Sequence, residues 1–91
     1  MDYNVTLEKE VLGEVAASLL AKYWKYMDAH NIDKNDNTNS TALLAKDISV
    51  IKKSILVDCK TLDDLKIVEG RLLQIRLIIE RLKENEGNHA A

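Results

Sequence analysis

The stretch 61–86 constrains the fold more than any other part of the chain. Within it Leu65, Val68, Leu72, Ile75, Ile79 and Leu82 recur at alternating spacings of 3 and 4. That is an a/d seam, the pattern that keeps one stripe of a helix turned toward a partner helix. Thr61 followed by Asp64 is an aspartate version of the capping box and marks its start. Gly87 marks its end, since glycine takes up the left-handed conformation that stops a helix. Residues 87–91 then read as a flexible tail. The seam specifies a helix and a packing face. It specifies no reaction.

The remaining sequence agrees with few, long helices. In 91 residues there is no proline and glycine occurs 3 times, whereas a β protein needs turn residues every ~8–12 positions. The apolar fraction of 46% and charged fraction of 31% are those of a folded protein. The length allows one domain, near the lower end of what buries a sufficient core unaided.

Taken in order, the first helix is expected over 6–30, with Asn4 or Thr6 as its cap and Glu8 and Glu10 in its first turn. Leu7, Val11, Leu12, Val15, Ala16, Leu19, Leu20, Tyr23 and Met27 share one face. That arc is about twice the ~100° needed to lie on a single surface, so this helix is expected to meet two neighbours. Gly13, Ala17 and Ala21 form a small-residue edge beside it. The polar stretch 33–40 is a loop. The second helix is expected over 41–58, capped by Ser40 or Thr41. Leu44, Ile48, Ile51 and Ile55 make its main stripe, and Leu43, Val50 and Val57 make a second row nearly opposite. Extending the seam of the third helix backwards places Thr61, Asp58 and Ser54 on it, which argues for a tight turn near 58–60 rather than one long rod. The third helix then covers 62–86, with Leu73 and Leu77 on one flank of its seam and Ile67 and Ile78 on the other. Gly70 faces away from the seam, either as a tolerated exposed glycine or as a point where a second chain comes close.

Several chemistries are excluded by the residues themselves. The run Asp33-x-Asn35-x-Asn37 has the alternating oxygens of a calcium loop, but Thr38 and Leu44 stand where glycine and a bidentate glutamate are required. His30, Cys59 and His89 are scattered singly, without the paired spacing of a zinc site. Cys59 reads as a small packing residue. No phosphate loop, catalytic constellation or cofactor motif is present. Lys46, Lys52, Lys53, Lys60 and Lys66 tint one corner basic, yet neighbouring aspartates and a net charge of −2 argue against a dedicated nucleic-acid binder. The N-terminal residues lack a signal-peptide pattern and no apolar run approaches the ~20 residues of a membrane span, so a cytoplasmic location is expected.

These observations predict an all-α chain folded as a small three-helix bundle. It carries more apolar helix surface than three helices of this length cover among themselves, which predicts self-association, most simply as a two-fold dimer. The function expected is a non-enzymatic protein-interaction module, whether adaptor, inhibitor or assembly factor, working through an apolar helical surface with no cofactor and no metal. The alternative is a nucleic-acid-associated accessory protein. The candidate interface residues are Leu43, Val50, Val57, Ile67, Gly70, Leu73, Leu77 and Ile78. Tyr23 and Tyr26 are expected in the core with their hydroxyls reaching water. Trp24, at the margin of the arc, either caps the edge of the bundle or meets another chain.

Overall fold

The computed structural model describes the backbone of residues 3–90 and the side chains of residues 3–85. It contains helices α1 (Tyr3–Ala29), α2 (Ser40–Val57) and α3 (Leu62–Ala90), with no strand among the described residues. The three run up, down and up, so that α1 and α3 are parallel and α2 returns against both. This is the three-helix bundle that the periodicity predicts. The 29 residues of α3 make a rod of ~43 Å at 1.5 Å per residue, which sets the long axis of a molecule measuring 50 × 27 × 16 Å.

The seam of α3 is buried as its spacing requires. Leu65, Leu72, Ile75 and Ile79 are inaccessible, while Val68 and Leu82 are half-buried against the same core. From α1 come Val5, Leu12, Ala16, Leu19, Leu20, Tyr23 and Met27, and from α2 Ala42, Ala45, Ile48 and Ile55. Helix α1 is the common neighbour of the other two, as its wide apolar arc predicts. Alanines set the approach of α2: Ala42 and Ala45 are buried, while Leu44 and Ile51 of the expected stripe are only half so. A small side chain lets a helix axis come closer than a leucine does. Gly13 plays no such part within the chain, since a Cβ there meets nothing within 4 Å.

The turn between α2 and α3 is the one the sequence marks. Thr61 Oγ1 accepts from the Asp64 amide at 3.2 Å, and Asp64 accepts from the amides of Thr61 and Lys60 at 3.1 and 3.0 Å. Those bonds favour the ionised carboxyl, and the Lys60 amide first of all holds Asp64 below the usual carboxylate range. Cys59 closes the turn from inside and is buried, in the packing role expected of it. Burial, and next the Asp64 charge, push its thiol up.

Other ends differ from expectation. Helix α1 already starts at Tyr3, so Asn4 and Thr6 lie within it and not ahead of it. The cap of α2 is Asn39, whose side chain accepts from the Ala42 amide at 3.0 Å; Ser40 is the first helical residue instead. Helix α1 stops at a Schellman turn: Ile32 donates to the Met27 carbonyl at 2.8 Å and Asn31 takes φ 55. Ile32, just ahead of the stretch that reads as polar, thereby folds back onto the core. Helix α3 is continuous through Ala90, past Gly87. The flexible tail expected at 87–91 lies outside the residues whose side chains are described.

Tyr23 is fully buried, and its hydroxyl donates to the Ile75 carbonyl at 2.6 Å. It does not reach water, which corrects the sequence expectation. Burial pushes its phenol up from 10.0 to about 12. A raised pKa means stability that is complete below the unfolded value and lost as pH climbs through the folded one. Tyr23→Phe is therefore expected to lower stability by about 1 kcal/mol at neutral pH, measured by urea unfolding. It should also blunt the loss of stability between pH 10.0 and about 12. An unchanged midpoint together with an unchanged alkaline limb would refute the role of this bond.

Candidate protein-interaction surface

Most of the large apolar side chains left outside the core fall into three regions. The α2–α3 groove is bridged by Arg71 and Asp47 at 2.9 Å, both half-exposed. Asp47 follows Leu43 by one helical turn and precedes Val50 by one; Arg71 stands between Ile67 and Ile78 on the same stripe of α3. Leu43, Val50, Ile67 and Ile78 consequently lie on either side of the bridge and outward from it. Val50 is 67% exposed and Ile67 75%. Val57 continues the α2 row at its C-terminal end and is also exposed. Thus the outer row of α2 and one flank of α3, separate in the sequence, share one face. That face carries an apolar strip whose central charges are paired to each other.

The second region lies between α1 and α3. Here Val11, Glu14, Val15, Ser18, Leu19, Lys22 and Arg76 line an open depression of about 370 Å³. Leu7, Val11 and Val15, one turn apart, are 46%, 46% and 41% exposed. All three fall on the arc that the periodicity assigns to packing. They stay uncovered because α3 turns Arg76, not an apolar side chain, toward that edge of α1, with the guanidinium held by Glu80 at 3.0 Å. Leu73 and Leu77 extend outward from Arg76 on α3 and are exposed. This region unites the remaining α3 flank with an edge of α1 that sequence reasoning missed.

Trp24 is apart from both, at the end of the bundle near the loop. It turns toward α2, lining one depression with Met27 and Ile32 and another with Ala45 and Ser49. It is 52% exposed. Tyr26, beside it in sequence, is half-buried and stacks on His30 with ring centroids 4.3 Å apart. Gly70 is exposed, and a Cβ there meets nothing within 4 Å, so no part of this chain requires glycine at that position. Leu56, exposed beside Lys52 on α2, is a further apolar residue that neither row includes.

Among the described residues no group of three or more His, Cys, Asp or Glu is placed to hold a metal ion. The loop carboxylates serve the loop: Asp33 accepts from the Asn35 amide and Asp36 from Thr38, both at 2.9 Å. Asn37 accepts from Lys46, also at 2.9 Å. Among the described residues no helix is long and apolar enough to cross a membrane.

Comparison with known proteins gives this surface its context. Residues 1–82 match the model of the bacterial epsilon antitoxin family. The antitoxin PezA of Streptococcus pneumoniae is 29% identical over 79 residues, which are 87% of this chain and 50% of that protein. The chain thus spans half the length of that relative. No solved structure matches it significantly. With nearly the whole bundle inside the match, the chain belongs to the bacterial epsilon antitoxin family, a family of protein inhibitors and not of enzymes.

Proposed function

We propose that this chain neutralises a protein toxin by binding it through the apolar depression between α1 and α3, and that it does so as a homodimer in the cytoplasm. The observation that carries the reading is the family match over residues 1–82, joined to apolar surface that the bundle does not cover. An inhibitor of this kind needs a contact surface and no catalytic group. The two large apolar regions differ in how their charged groups are disposed, and the difference supports separate roles for them. The α1–α3 region holds an open depression lined by Val11, Val15 and Leu19 together with Glu14, Ser18, Lys22 and Arg76, and Leu7, Leu73 and Leu77 are exposed on the same two helices. An open depression that offers apolar and charged side chains together suits a projecting element of a different protein. In the α2–α3 strip of Leu43, Val50, Ile67 and Ile78, Asp47 and Arg71 are already paired to each other. Such a strip suits pairing with its own copy about a two-fold axis. Gly70 and Val57, exposed at its borders, would then adjoin the second copy.

The dimer is tested by light scattering at micromolar concentration. The wild-type chain should show twice its 10.3 kDa mass, and Val50→Glu combined with Ile67→Glu should return it to the monomer with its helical content intact. A monomeric wild-type chain would overturn the assignment.

Toxin binding is tested separately by calorimetry with the cognate toxin and by rescue of growth on co-expression. Val11→Glu or Leu73→Glu should weaken binding at least ~10-fold, equivalent to about 1.4 kcal/mol, and should abolish rescue. Val50→Glu should spare both. If Val11→Glu and Leu73→Glu bind as tightly as wild type, the toxin sits elsewhere. If the wild-type chain binds no toxin, the inhibitor reading itself is lost.

A further inference from the structure

The corner around Trp24 is used by neither proposed interface. On α1 this side chain points toward α2, whereas Val11, Val15 and Lys22 line the groove toward α3, so a partner in one place leaves the other open. Trp24 stands between two depressions. The larger, about 460 Å³, has Met27 and Ile32 as its apolar wall and Lys25, Asp28 and Lys34 at its edge. The smaller, about 140 Å³, adds Asn35, Lys46 and Ser49. Together their linings hold three lysines and one carboxylate, in a chain whose net charge is −2. Within these two linings positive charge prevails, while Asp33 and Asp36, which flank Lys34, accept from Asn35 and Thr38 of their own loop. Lys46 is held by Asn37, and neither Lys25 nor Lys34 has a hydrogen-bond or ion-pair partner among the described residues.

We propose that this corner docks an acidic segment of another protein, with an apolar side chain of that segment seated against Trp24 and its carboxylates facing Lys25, Lys34 and Lys46. An indole offers a large rigid contact at small entropic cost, and the surrounding ammonium groups select the sign of the partner. A second copy of this chain is the weaker fit, since it brings net negative charge but a like-charged corner. Nucleic acid is also the weaker fit, because three lysines beside Asp28 and a net negative chain make a poor phosphate track. The site is additional to toxin binding and does not depend on it.

Trp24 is the only tryptophan, so its fluorescence reports the corner alone. The full chain is titrated with the blocked hexapeptide Asp-Glu-Leu-Leu-Asp-Glu and with its Lys-Lys-Leu-Leu-Lys-Lys counterpart. Saturable change is expected for the acidic peptide only, weakening about tenfold as added salt screens the charges. Lys25→Glu with Lys34→Glu, at exposed positions, should remove the response while the thermal midpoint stays within a few degrees of wild type. Equal response to the basic peptide, or indifference to the charge reversal, would overturn the proposal. So would displacement of the acidic peptide by a single-stranded oligonucleotide, or a change in Trp24 emission on dilution of the chain alone, which would assign the corner to nucleic acid or to a second copy.

Discussion

A buried tyrosine hydroxyl must find an acceptor, and in this bundle the carbonyl of Ile75 is that acceptor. The bond joins residues 52 apart in the chain, and it sets the register in which parallel α1 and α3 lie together. Moving α3 by one turn would leave the hydroxyl unpaired inside the core, at a cost of about 1–3 kcal/mol. It would also shift Leu72, Ile75 and Ile79 away from Leu19, Leu20 and Tyr23. The core and this one polar bond therefore choose the same register.

That register decides what remains outside. With Ile75 turned to the core, Arg76 necessarily meets the edge of α1, and its salt bridge to Glu80 keeps the guanidinium there at the surface. Val11 and Val15 are then left beside a charged group instead of an apolar one. On the other side, Arg71 reaches Asp47 and fastens α2 to α3 by a half-exposed ion pair, worth little in stability. The apolar residues outward of that pair have nothing within the chain to cover them. Both exposed regions are consequences of how the third helix is placed.

The parts of this fold that are legible in sequence are those with local, periodic signatures. Leu65, Leu72, Ile75 and Ile79 announce their face by spacing alone, and Thr61 with Asp64 announces the start of α3. Exposure of Leu43, Val50, Ile67 and Ile78 follows from the same wheel. What escaped depends on relations between elements. No local pattern connects Tyr23 to a carbonyl on α3. Ala42 and Ala45 are buried because α2 comes close to α1, and small residues weigh little in an apolar count. Ile32 is half-buried through a helix stop at Asn31 that brings the chain back on itself. Leu7, Val11 and Val15 read as core because a wheel counts apolar residues on one helix without knowing that its neighbour offers Arg76. That the two apolar flanks of α3 belong to different surfaces was likewise not legible, since it takes the positions of α1 and α2 to separate them.

The central claim is that the apolar surface left by this packing is the surface at which the toxin is held. Methyl NMR on the complex reads it directly, because leucine, valine and isoleucine methyls report contact residue by residue. On addition of toxin, the methyls of Leu7, Val11, Val15, Leu73 and Leu77 should shift or broaden, while those of Leu65, Leu72 and Ile79 keep their positions. Perturbation confined to Val50, Ile67 and Ile78, or none in the α1–α3 depression, would contradict the account.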